Sequence, residues 1–111
     1  MTHPAPRARA ASTGLPVRDK EEILARLQPL LRRCGGKLVL FGSRARHQAR
    51  AASDIDLAIR ASAPVPAALL AEARQALDDS LVPFRIDLLD YATASAELRQ
   101  AIDRDGIEWT V

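Results

Sequence analysis

The sequence predicts an α/β fold: a small mixed β-sheet covered by helices. Two observations predict it. Three short runs, KLVLF (37–41), DIDLAI (54–59) and PFRIDLLD (83–90), have the length and apolar content of strands. The stretches around them place apolar residues at helical spacing, so the order reads helix, strand, turn, strand, helix, strand, helix. A chain of 111 residues suits one domain with a real but small core.

Residues 1–17, MTHPAPRARAASTGLPV, are rich in Ala, Pro and Arg without periodicity. They read as a flexible basic tail, with the single domain spanning 18–111. A helix begins near Asp19, where Asp19 and Glu22 have the spacing of a capping box. Ile23, Leu24, Leu27, Leu30 and Leu31 form its apolar face. Pro29 removes a backbone donor and should kink the helix or split its last turn; Gly35 and Gly36 stop it.

KLVLF follows as a buried strand, and Gly42 turns the chain. Residues 43–50 form a short helix or a loop, and DIDLAI is the second strand. SAPVP (62–66) connects to a helix over 66–79, with Leu69, Leu70, Ala73, Ala76 and Leu77 on one face. PFRIDLLD is the third strand. A last helix over 94–105 turns Leu98, Ala101 and Ile102 inward, and Gly106 takes its C-cap. IEWTV is a short tail or edge strand.

Charge narrows the function classes. The net charge is +2, and three of the 16 Lys and Arg residues (Arg7, Arg9, Arg18) precede the first acid. The other 13 face 14 acids, so the folded part is near neutral and does not suggest direct nucleic-acid binding. A single cysteine, Cys34, excludes an internal disulfide and suits a reducing compartment. No apolar run is long enough to span a membrane, and the basic N-terminus lacks a signal-peptide core, so a cytoplasmic location is expected.

The chemistry concentrates between residues 41 and 60, FGSRARHQARAASDIDLAIR. Side chains alternate along a strand, so Asp54 and Asp56 share one face while Ile55, Leu57 and Ile59 take the core. Two such carboxylates repel each other unless a cation lies between them. Mg²⁺ is usually held by one or two carboxylates plus substrate phosphates. A right-handed crossover through the 66–79 helix would lay the third strand beside the second. Asp87 can then join the cluster, and three carboxylates suffice for a two-metal site about 3.5–4 Å across. Asp87 could equally pair with Arg85 or Arg60. Asp90, at the strand end, reads as a turn residue.

Gly42 permits close backbone approach, and a turn opening a short helix offers free N–H groups to a phosphate. Ser43 adds a hydroxyl, and Arg44 and Arg46 suit phosphate recognition.

This conjunction resembles the nucleotidyltransferase superfamily, whose signature is Gly-Ser, ten residues, then Asp-x-Asp: here Gly42-Ser43, residues 44–53, and Asp54-Ile55-Asp56. The run LFGSRARHQARAASDIDLAI is similar to the minimal nucleotidyltransferases of the DNA polymerase beta-like group, over roughly residues 20–110. The resemblance implies the polymerase beta palm-like fold. It implies Mg²⁺ at Asp54, Asp56 and Asp87, these three being the catalytic set. It implies ATP as co-substrate, held through Gly42, Ser43 and Arg46. Many relatives continue GSRARG, where this chain has His47; the change could alter the turn, bring an imidazole near the phosphates, or leave a solvated loop residue.

The minimal family is similar to antitoxins that move AMP from ATP onto a tyrosine hydroxyl of a HEPN-domain RNase toxin. That is the expected activity and partner. Two other readings stand beside it: a binding module that neutralises its partner by contact, and a stand-alone transferase for a small-molecule hydroxyl.

Overall fold

A computed structural model of the chain describes residues 14–50 and 53–109. The expected tail lies outside the described residues through position 13. Of its remainder, Leu15 packs against the core and Val17 opens the first helix.

Helix α1 (Val17–Cys34) starts before the point that the Asp19–Glu22 spacing predicts, and no capping box forms. Its N-cap is Pro16, whose carbonyl accepts the N–H groups of Asp19 and Lys20 at 3.0 and 3.2 Å. Asp19 therefore lies inside the first turn, buried, where its charge meets the positive end of the helix dipole. Glu22 instead accepts from Arg26 Nε one turn on, at 3.1 Å. The helix runs through Pro29 as one element. Leu27, Leu30 and Leu31 pack into the core on either side of the proline, so burial outweighs the one missing donor. Gly35 ends it in the left-handed region at φ 65°, and the Gly36 N–H returns to Leu31 O at 3.0 Å.

The remaining elements are β1 (Lys37–Phe41), a single-turn helix α2 (Gly42–Ala45), β2 (Ile55–Arg60), α3 (Ala67–Asp78), β3 (Ile86–Asp90), a 3₁₀ turn (Tyr91–Thr93), α4 (Ala96–Asp105) and β4 (Ile107–Trp109). The strands form one sheet in the order β3-β2-β1-β4. β1 runs antiparallel to β2 and β4, while β2 and β3 are parallel, joined through α3. The sheet is mixed, as expected, and IEW is one of its two edge strands.

Strand alternation divides the core. Leu38, Leu40, Ile55, Leu57, Ile59 and Leu88 pack with α1 and with Leu69, Ala73 and Leu77 of α3. Val39, Phe41 and Ala58 face the opposite side, where Ile102 of α4 covers them. α4 opens on Ser95, whose hydroxyl accepts the Leu98 N–H at 3.1 Å. Gly106 is its C-cap, but in extended rather than left-handed conformation. Glycine is needed there for room: a Cβ would collide with the Ile102 carbonyl and Val39 Cγ1. On the outer edge, Arg74 donates from Nε and Nη2 to Leu88 O of β3, at 3.1 and 2.9 Å. Among the described residues no helix is long and apolar enough to cross a membrane.

Candidate functional site

The apolar faces of β1 and β2 fix their register, and with it one corner of the sheet. Phe41, the last residue of β1, pairs with Asp56. Asp56 in turn pairs with Asp87 across the parallel β2–β3 ladder. Asp54 lies just before β2. Gly42 leaves β1 beside this row at φ 78°, and a Cβ built on it would run into the Asp56 carboxylate. The turn and the carboxylates are therefore in close contact, and glycine is required both for the dihedral and for the space.

The Gly42–Ser43 turn is closed by its own backbone. Arg46 N–H bonds to Gly42 O at 3.1 Å, His47 N–H to Arg44 O at 3.2 Å and Gln48 N–H to Ser43 O at 2.9 Å. His47 takes φ 61°, a left-handed value that a non-glycine residue adopts at a cost. Glycine would take that conformation without the cost. Arg46 is exposed, with Nε on Gln48 Oε1 at 3.2 Å.

The electrostatics follow from the row. Asp56 is half-buried, and its carboxyl is pushed above the usual range, first by burial and then by repulsion from Asp87 and Asp54. Arg46 and Arg85 offset part of this. Asp87 is 49% exposed, and its Oδ1 is 3.5 Å from Arg85 Nε. The expected alternative partner, Arg60, instead meets Asp103 at 3.2 Å. Asp105, at the end of α4, is held below the usual carboxylate range by its hydrogen bond from Arg104, with a further contribution from Arg46. Nothing in the sequence pattern links Asp105 to Arg46; the packing of α4 beside α2 does.

Among the described residues, no three carboxylate, imidazole or thiol groups are gathered to hold a metal ion. The three aspartates stand at one corner, and their mutual repulsion opposes closer approach. Their chemistry nevertheless fits a hard divalent cation: all donors are carboxylate oxygens, and Asp56 feels two neighbouring negative charges that a cation would neutralise. A small cleft of about 240 Å³ borders Asp87, between Arg74, Leu77 and Asp78 of α3 and β3. A larger one, about 480 Å³, lies between Gln28, Gly36, Lys37 and Trp109, at the opposite end of β1 from Gly42.

Two expectations for nearby residues turn out differently. Asp90 is 3% exposed, and its two carboxylate oxygens accept the N–H groups of Val65 at 2.8 Å and Ala92 at 3.0 Å. It is a turn residue, as expected, but also pins the α3 approach to β3. Arg44 is 1% exposed and does not join Arg46 on the open side of the turn. It donates instead to the carbonyl of Ser53, from Nε at 3.2 Å and Nη2 at 2.7 Å. An arginine two positions from another gives no sign in sequence of which one turns inward.

Residues 36–108 match the family model described as polymerase beta, nucleotidyltransferase. The chain is 40% identical over 62 residues to the "Probable protein adenylyltransferase MntA" of Haemophilus influenzae. That stretch is 56% of this chain and 54% of the relative, so the chain spans about half the length of the curated relative it matches. It superposes with a TM-score of 0.60 on a toxin–antitoxin complex with AMP-PNP, at 27% identity over 78% of this chain and 73% of the other. A structure described as a "putative minimal nucleotidyltransferase" superposes at 0.56, with 30% identity over 78% of this chain and 92% of the other.

Proposed function

Because this chain belongs to the polymerase beta nucleotidyltransferase family, we propose that it transfers AMP from ATP to a tyrosine hydroxyl of a HEPN-type RNase toxin and so acts as that toxin's antitoxin. The observation that carries this reading is the row Phe41–Asp56–Asp87, with Gly42 against Asp56. It brings the Gly42–Ser43 turn and an acidic corner together at one end of the sheet. The similarity to an adenylyltransferase and to a toxin–antitoxin complex with an ATP analogue supports the donor and the class of acceptor.

In this reading Asp54, Asp56 and Asp87 would hold Mg²⁺, and the chemistry it would supply is positive charge against the phosphates. Gly42 and Ser43 bind the terminal phosphates, and Arg46 adds positive charge beside them. The acceptor oxygen attacks the α-phosphorus; the bond from that phosphorus to the bridging oxygen breaks, and pyrophosphate departs. Asp87, the most open of the row, takes the hydroxyl proton. Positioning and charge stabilisation supply most of the rate. The reaction belongs in the cytoplasm, where Cys34 stays reduced.

The test is AMP transfer from α-labelled ATP with Mg²⁺, using wild type and Asp54→Asn, each with and without a HEPN-type toxin from the same organism. Label on the toxin from wild type alone is the expected result. No label in any lane, with toxin bound by both forms, would overturn transfer and leave neutralisation by contact. Label on a small molecule without toxin would overturn the acceptor.

A further inference from the structure

Three buried residues carry charge among those described: Asp19, Arg44 and Asp90. Asp19 answers a helix dipole and Asp90 binds two amides. Arg44 is less expected, since burying a guanidinium is costly unless its donors are used. Its side chain crosses from α2, directly after the Gly42–Ser43 turn, to the carbonyl of Ser53. The guanidinium carbon lies 4.7 Å from the centre of the Phe84 ring, a cation–π contact that holds its plane.

The carbonyl it grips belongs to the peptide unit whose nitrogen is that of Asp54. That unit is planar, so fixing its oxygen fixes the bond from which the Asp54 Cα projects. The next peptide is also anchored: Ile55 N–H donates to Arg85 O at 2.8 Å. Ser53 is held from behind as well, its N–H bonding to Arg50 O at 3.0 Å and its Oγ accepting the Arg50 N–H at 2.8 Å. Asp54 thus stands between two immobilised peptides, one of them tied through a single side chain to the turn ten residues earlier in sequence.

We propose that Arg44 is a positioning residue for AMP transfer: by gripping the Ser53 carbonyl it sets where Asp54 stands relative to the Gly42–Ser43 turn. The proposal rests on the transfer reading above, but its test separates the two. Lys at position 44 keeps the charge but lacks the planar fork that places two N–H groups on one carbonyl.

The experiment compares wild type, Arg44→Lys and Arg44→Met by amide hydrogen exchange, by Mn²⁺ affinity from electron paramagnetic resonance, and by AMP transfer to the toxin. Arg44→Lys should speed exchange at the amides of Asp54 and Ile55 while those of β1 and α1 keep their protection. Mn²⁺ affinity and the turnover rate should each fall about 10- to 100-fold, the usual effect of removing a group that orients a metal ligand. Exchange and Mn²⁺ affinity in Arg44→Lys equal to wild type would overturn the proposal. So would a uniform loss of protection across the whole sheet, which would mark Arg44 as a general stability residue. Should Arg44→Met fail to fold, Arg44→Lys alone decides. Should wild type transfer no AMP, the proposed function fails, while exchange and Mn²⁺ affinity still decide the role of Arg44.

Discussion

Two glycines in this chain share a positive φ and differ in what surrounds them, which allows strain and site geometry to be separated. Gly35 has φ 65° and no atom within 4 Å of where a Cβ would stand. Gly42 has φ 78°, and there a Cβ would meet the Asp56 carboxylate, with Cγ at 3.2 Å and Cβ at 3.3 Å. Alanine in the left-handed region costs about 1–2 kcal/mol, so both Gly35→Ala and Gly42→Ala should lose about that much. The atom met hardest, Asp56 Oδ2, yields by turning about χ1 and χ2, and the Asp56 Cβ, fixed to its backbone, has to give by only a few tenths of an ångström. The extra loss of stability should therefore stay small, while the carboxylate leaves its place. A misplacement of that order costs about 100-fold in rate. Urea unfolding of both variants should give similar losses, and AMP transfer should collapse only in Gly42→Ala. Transfer retained by Gly42→Ala, or lost equally in Gly35→Ala, would refute the reasoning. A much larger stability loss at Gly42 would show that the backbone, not Asp56, absorbs the clash.

Other perturbations separate in the same way. The folded chain binds a proton at Asp56 more readily than the unfolded chain does. Stability from this group is thus full below the ordinary aspartate range, about pH 4, and is lost as pH rises through the raised folded value. Asp56→Asn should flatten that slope, melt higher than wild type at pH 7 and abolish transfer; melting curves from pH 4 to 8 check it. Asp90→Ala should cost about 1–3 kcal/mol, because the buried Val65 N–H loses its acceptor; chemical unfolding measures it, and transfer per folded molecule should persist. His47→Gly relieves about 1–2 kcal/mol of left-handed strain against about 0.5–1 of added chain freedom. The result should be neutral to slightly stabilising in urea, and a clear loss would show that the imidazole has contacts worth more than the strain.

The fold was legible because its core obeys simple periods. KLVLF and DIDLAI read as strands, and the alternation in DIDLAI put Asp56 opposite Ile55, Leu57 and Ile59, where it is found, while Asp54 lies just before the strand. The parallel placement of β3, and with it Asp87 beside Asp56, followed from the handedness of a crossover through one helix. Helix ends were read less well. Asp19 and Glu22 have capping spacing, yet Pro16 starts the helix, because a proline can set φ and offer its carbonyl without any side-chain signal. Gly106 was placed correctly at a helix end, but not for a left-handed turn: the Ile102 carbonyl and Val39, the latter far away in sequence, leave no room for a Cβ. Within the candidate site, the inward turn of Arg44 was hidden for the same cause. Its partners, Ser53 and Phe84, come together with it only once β2 and β3 are paired.

The row that joins Phe41, Asp56 and Asp87 has a consequence for how such a chain can change over generations. Strands count in twos. Deleting a single residue within β2 would send the Asp56 position into the apolar layer and bring a leucine or isoleucine to the surface, losing chemistry and core together. The stretch from Arg44 to Ser53 is bound by a different count, because the Arg44 side chain and the Arg50–Ser53 turn span it. Length variation among descendants of this sequence should therefore gather in the connections on either side of α3, while β2, the start of β3 and the ten residues before Asp54 keep their count.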